Sequence, residues 1–263
     1  MSGHPLLPDA WFALPAAALL FGLLALAPLG AQVLARGVVF IDLAVAQAAA
    51  AAALWAGALV EHPDWLTTQA FAAGGAVLCT GAVATLARRW PAQREALIGL
   101  LYVLGASIAL LGARQDPHGR ERLAELLAAD VLWVQGPQVA LLAVCAALVL
   151  LQGARLTRDR LFFPLFAVVA SLAVPALGLF VVFAALIAPA LWMRAGAPRT
   201  VAWGGAMAAC AAGLASSWAF DAPSGACVLL ALAAFGTLSA LRAPPAPSGV
   251  PGAADAPSNE STA

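Results

Sequence analysis

The sequence predicts an all-α, polytopic membrane protein with about eight to nine transmembrane segments. Three observations carry that expectation. Of the 263 residues, 63% are hydrophobic and 10% charged, against about 25% charged in a soluble domain. The charges avoid long stretches: Ala10 to Ala35 holds none, and between Gly196 and Asp221 only Arg199 is charged. The apolar runs also come in lengths near the roughly 20 residues that a helix needs to cross the hydrocarbon of a bilayer.

A short N-terminal segment, residues 1–10, precedes a transmembrane domain expected over residues 11–242. The first apolar run, Trp11 to Leu34, is longer than a signal-peptide core and has no basic residue before it, so it is expected to stay in the membrane. Val38 to Val60 follows and contains an aspartate, Asp42, and a glutamine, Gln47. Thr68 to Ala87 and Ala96 to Ala113 are the next two runs. Arg114 to Asp130, "RQDPHGRERLAELLAAD", reads as an amphipathic interfacial helix begun after Pro117 and Gly119. Val131 to Leu151 is a further span, closed by the short basic connection Gln152 to Arg160.

Leu161 to Met193 is too long for one upright helix, since at 1.5 Å per residue it would reach about 50 Å. It contains Pro164, Pro175, Gly178 and Pro189, and is expected to be two segments broken near Pro175 to Gly178. Thr200 to Phe220 and Pro223 to Leu241 complete the spans. The tail, residues 243–263, is rich in Pro, Ala and Ser and is predicted to be disordered.

There is no lysine, so the 13 basic residues are all arginine. With the N-terminus outside and Leu161 to Met193 counted as two passes, ten of them fall on the cytoplasmic side: Arg36, Arg88, Arg89, Arg94, Arg155, Arg158, Arg160, Arg194, Arg199 and Arg242. Arg114, Arg120 and Arg122 fall outside. The opposite orientation with a single pass leaves no asymmetry.

A net charge of zero and a pI near 6.8 give no reason to expect a nucleic-acid partner. Cys79, Cys145, Cys210 and Cys227 lie far apart in apolar segments without CxxC spacing, as small buried hydrophobes do. No phosphate-binding loop, HExxH or nucleophile elbow occurs. The chain is therefore expected not to be an enzyme and to need no cofactor; any ATP hydrolysis would reside on a separate polypeptide.

Asp42 is the residue that demands an explanation, because an isolated carboxylate among apolar residues costs several kcal/mol unless it is paired, protonated or hydrated. It is either a cation ligand or pore carboxylate, or a structural acid paired with Arg36 or capping a broken helix. Gln47, five residues on, points some 140° away around a helix, so the two need not share a partner. His4, His62 and His118 all lie outside the apolar runs. His118 with Glu121 and Glu125 has ligand-like spacing but reads first as a solvated helix face. Asp221, in "FDAPSGA", is expected in a tight turn where it accepts backbone N–H bonds at the start of the next helix.

Five stretches, taken in order, resemble the membrane subunit of the zinc/manganese family of ATP-binding-cassette importers. They are "PLGAQVLARGVVFIDLAVAQ" (Pro28 to Gln47), "EALIGLLYVLGASIAL" (Glu95 to Leu110), "HGRERLAELLAADVLWV" (His118 to Val134), "LGLFVVFAALIAPAL" (Leu177 to Leu191) and "FDAPSGACVLLAL" (Phe220 to Leu232). The resemblance implies a vitamin B12 importer-like permease in the inner membrane. It would work as a homodimer with cytoplasmic ATP-binding subunits and receive zinc, manganese or iron from a periplasmic metal-binding protein. Asp42 and Gln47 are then the expected metal residues. Two departures stand out. The family commonly places a histidine four residues after its aspartate, where this chain has Ala46 with Gln47 beside it. The family's longer cytoplasmic coupling helix is reduced here to the stretch Gln152 to Arg160. A non-transporting assembly subunit that keeps the permease fold is the alternative.

Overall fold

The computed structural model describes residues 10–60, 63–115, 118, 119, 121, 123 and 131–242. The tail, most of the N-terminal segment and most of the expected amphipathic helix at Arg114 to Asp130 lie outside the described residues. Within them the chain is all-α: α1 (Ala10–Arg36), α2 (Ile41–Leu59), α3 (Trp65–Arg89), α4 (Arg94–Ala113), α5 (Gly136–Gln152), α6 (Asp159–Leu177), α7 (Leu179–Arg194), α8 (Arg199–Phe220) and α9 (Ser224–Leu238). Among the described residues six segments are long and apolar enough to cross a membrane by themselves, those built on α1, α3, α4, α5, α6 and α9; α2 and α7 are shorter apolar helices.

The helix ends follow the local chemistry. Gly37 takes a positive φ of 59° and reverses the chain between α1 and α2. Asp64 caps α3, its Oδ1 accepting from the Thr67 N–H at 2.8 Å, and this hydrogen bonding with Thr67 holds its carboxyl below the usual carboxylate range. The break expected near Pro175 to Gly178 is present: α6 ends at Leu177, and Gly178, at φ 81° and ψ 147°, occupies a region essentially restricted to glycine. Pro175 has no N–H to offer the Ser171 carbonyl one turn back. Gln69 of α3 supplies it instead, Nε2 donating to Ser171 O at 3.0 Å.

α1 is the central helix and packs against α5, α6, α7 and α8, while α2 packs against α3 and α4. Close approach is made by small residues, as is usual where helices cannot gain from burying apolar faces away from lipid. Gly75 of α3 faces the Ala48 carbonyl and Ala52, Gly213 of α8 faces the backbone of Val228 in α9, and Gly30 of α1 faces the Leu186 carbonyl of α7.

These contacts also fix direction. Gly22 meets Leu177 at the break and Gly30 meets Leu186, so α7 runs the same way as α1. Gly105 and Gly112 of α4 meet Gln47 and Trp55 of α2 in turn, so those two helices are parallel. The α1 end is tied to the α5–α6 connection and to α3 through Arg36–Asp159 (3.0 Å) and Arg88–Asp159 (3.6 Å). The ends of α7 and α9 meet where Trp192 stacks on Phe235 at 5.0 Å, donates to the Phe235 carbonyl and lies under Arg242. All ten arginines from Arg36 to Arg242 that the sequence grouped together therefore lie at one end of the bundle, and Arg114 at the other. The single-pass alternative for Leu161 to Met193 is excluded by the return of α7.

Two expectations need correcting. Asp221 lies two residues before the N-cap of α9, which is Pro223 and has no side-chain acceptor. It sits instead in the left-handed conformation at the end of α8 (φ 49°), where the Asp221 and Ala222 N–H groups both close on the Ser217 carbonyl. Nor does Arg36 pair with Asp42, because its guanidinium is committed elsewhere.

Replacing Gly30 by Val would drive a branched side chain into the Leu186 carbonyl. It is expected to destabilise the protein by about 1–3 kcal/mol, read as a lower melting temperature in detergent. Gly57→Ala, where a Cβ meets nothing within 4 Å, is expected to leave melting unchanged or raise it.

Candidate functional site

Asp42 lies in the first turn of α2 and is 1% exposed. Neither carboxylate oxygen has a hydrogen-bond partner among the described residues. The helix N-terminus favours a negative charge there, but by only about 0.3–1 kcal/mol. That does not offset the several kcal/mol lost when a carboxylate leaves water without bonds in return. The ion pair raised by the sequence thus fails for Asp42: it pairs with no arginine, and the N–H groups its carboxyl approaches are those of Asp42 itself and Leu43, in its own first turn.

Arg36 illustrates the contrast. Its side chain is 15% exposed and fully occupied: Nε donates to Asp159 Oδ1, Nη1 to the Gln32 side chain at 2.8 Å, and Nη2 to the Leu156 and Thr157 carbonyls at 3.1 and 2.8 Å. Its face stacks over Phe162 at 4.2 Å. Arg36, the arginine that the sequence offered to Asp42, is committed to the α5–α6 connection.

The helix carrying Asp42 presents three sides. Ala48 and Ala52 face α3, and Gln47 with Ala48 faces α4, where a Cβ on Gly105 would stand 3.1 Å from the Gln47 Cβ. Asp42, Ala46 and Ala49 share a further side, at helical spacing i, i+4, i+7; α6 and α7 also approach α2. All three residues are buried. Asp42 and Gln47 are both buried but are not brought together, and the position in register with Asp42 is Ala46.

No group of three or more His, Cys, Asp or Glu residues that could hold a metal ion occurs among the described residues. His118 pairs with Glu121 at 3.1 Å, both well exposed, as on a solvated face; Glu125 lies outside the described residues. The four cysteines are free, Cys79, Cys145 and Cys210 being buried and Cys227 partly so. Any cation passing Asp42 would meet a carboxylate, which suits hard divalent ions better than thiolate-seeking ones.

Two polar residues of consequence escaped the sequence reading. Glu95, in the first turn of α4, reaches back to the α1–α2 turn, its Oε1 accepting from the Val39 N–H at 3.1 Å while Oε2 is buried without a partner. In the sequence it looks like an ordinary acid at a helix start. Gln69 completes the backbone bonding left open by Pro175, and only the pairing of α3 with α6 reveals it.

A solved structure, PsaBC from Streptococcus pneumoniae in complex with Fab, has the same fold at 17% sequence identity. The match covers 89% of this chain and 92% of that one with a TM-score of 0.68. No curated protein matches the sequence significantly. The model of the ABC 3 transport family matches residues 12–160, more than half of the chain. That span includes the first three of the five stretches noted in the sequence and stops at the short α5–α6 connection. The chain belongs to the ABC 3 transport family.

Proposed function

We propose that the chain is the membrane-spanning permease subunit of an ATP-driven importer of divalent metal ions, with Asp42 on the translocation path. The observation that carries this reading is a fully buried carboxylate with no partner for either oxygen, inside a helix bundle of a transport family. Ionisable residues kept within membrane segments at such a cost mark ion pathways far more often than structure. The cargo is a dication, zinc, manganese or iron, and the one donor identified, the Asp42 carboxylate, is a hard oxygen ligand. The metal is substrate; no resident cofactor is invoked.

The ten arginines gathered at one end support a cytoplasmic position for that end by the positive-inside rule, with the N-terminus outside; the membrane in this reading is the inner membrane. ATP hydrolysis belongs to a cytoplasmic ATP-binding subunit docking at the arginine end. A periplasmic metal-binding protein delivers cargo at the opposite end, and a second copy of the chain completes a homodimer. The α5–α6 connection bears on the alternative, a non-transporting assembly subunit, because it is only one short 3-10 turn, Gly153–Thr157, and offers an ATPase little to grip.

Co-reconstitution with the cognate ATPase separates these readings. Metal-stimulated ATP hydrolysis and metal uptake into vesicles are expected for the complex and not for the permease alone. A complex that assembles yet shows neither would establish the assembly role.

Asp42→Asn is expected to lower uptake by about tenfold or more while the inserted protein melts no lower than the wild type, since an unpaired buried charge is removed. A loss of folded protein in proportion to activity would return Asp42 to a structural role.

The register of the path can be read with histidine. Ala46→His, on the Asp42 side of α2, is expected to strengthen zinc transport, because imidazole is a better borderline ligand than a methyl group or an amide. Gln47→His, facing α4, is expected to do little. If neither changes metal preference in competition uptake assays, this turn of α2 does not face the cargo.

A further inference from the structure

The start of α2 is built without a local cap. A helix leaves its first N–H groups without intrahelical acceptors, and a Ser, Thr, Asp or Asn at the N-cap normally supplies one. Here the N-cap is Phe40, which has no side-chain acceptor, and Asp42 in the first turn bonds nothing among the described residues. The Ile41 N–H closes on Val38 O and Ala44 N–H on Phe40 O. The Val39 N–H, just before the cap, is satisfied from a different helix, by Glu95 Oε1 of α4.

The backbone leading into Asp42 is thus held by charged groups from elsewhere. Arg94, next to Glu95, places its guanidinium against Gly37, so that a Cβ there would overlap it. Arg36, the residue before Gly37, is bonded to Asp159, Leu156 and Thr157. Glu95 is the member of this set that grips the turn nearest Asp42, and it does so at a cost, because Oε2 is left buried and unpartnered. Its reach across from α4 supplies an acceptor to the turn from which α2 begins. The azimuth of α2 at Asp42 depends on that starting point.

We propose that Glu95, through its hydrogen bond to the Val39 N–H, is a positioning residue that fixes Asp42 toward the cargo path. The proposal rests on the transport reading for its functional consequence but not for its structural one. Glu95 itself faces the α1–α2 turn, on the α4 side of α2, and acts through that turn. Residues that orient a metal-contacting group without touching the metal commonly change affinity by about 10–100-fold when altered.

Two conservative variants separate reach from charge. Glu95→Gln keeps the length and the acceptor oxygen but loses the charge; Glu95→Asp keeps the charge but withdraws it by one methylene. Full-length protein is followed by amide hydrogen exchange over residues 37–44, and the complex with its ATPase by manganese uptake into vesicles as a function of manganese concentration. The expected result is that Glu95→Asp speeds exchange in the turn and raises the half-saturating manganese concentration about tenfold or more, whereas Glu95→Gln stays within about threefold of wild type in both. The reverse pattern, uptake lost in Glu95→Gln and kept in Glu95→Asp with exchange unchanged in both, would show Glu95 acting by its charge and overturn the proposal. Unchanged exchange in Glu95→Asp overturns it as well. Should the wild-type complex move neither manganese nor zinc, the transport reading fails, while the exchange measurement still decides whether Glu95 holds the turn.

Discussion

The arginine end of the bundle depends on one side chain, Arg36. Its guanidinium accounts for its bonding capacity by joining Gln32 in its own helix to the carbonyls of Leu156 and Thr157 and to Asp159. Phe162 covers its face. Arg88 then adds α3 to the same carboxylate. Through this one hub the central helix α1, the α5–α6 connection and α3 share a fixed relative height. A planar, permanently charged group with several donors can do this where a lysine could not.

Away from that end the constraint is different. In lipid no unsatisfied backbone group can be left to water, so each proline in a span poses a specific debt. Pro175 frees the Ser171 carbonyl, Gln69 answers it from α3, and the broken chain continues through Gly178. The same break lets α7 return toward the arginine end alongside α1, with Gly30 set against the Leu186 carbonyl. A bend, a side-chain bond and a close helix crossing therefore form one unit, and both halves of the broken segment reach α2.

Against this pairing Asp42 stands out: among the described residues Glu95 leaves one carboxylate oxygen and Trp203 its indole N–H without a partner, but Asp42 leaves both oxygens. Arg36, Asp159 and Gln69 show that the chain has the means to satisfy polar groups and uses them. Leaving both oxygens of a 1% exposed carboxylate without partners is consistent with a group whose partner is a passing ion. The shortness of the α5–α6 connection, where the family match also ends, bears on how such a path would be driven.

The sequence by itself determined what is written in one dimension. The all-α membrane class, the spans, the break near Pro175 to Gly178, the grouping of ten arginines, the oddity of Asp42 and the family resemblance all follow from run lengths, prolines and the placing of charges. Tertiary structure alone decided which faces meet. Arg36 chose Asp159 over Asp42, Gln47 turned to Gly105 of α4, and Glu95 reached back to Val39. The reason is physical: in a soluble helix the apolar stripe announces the buried face, but here every face is apolar. Leu26 is 1% exposed and Leu78 is 78% exposed, and nothing in either residue's type distinguishes them. Helix azimuth is set by where glycine and alanine let backbones touch and by a few long-range polar bonds, both of which exist only once distant segments are side by side.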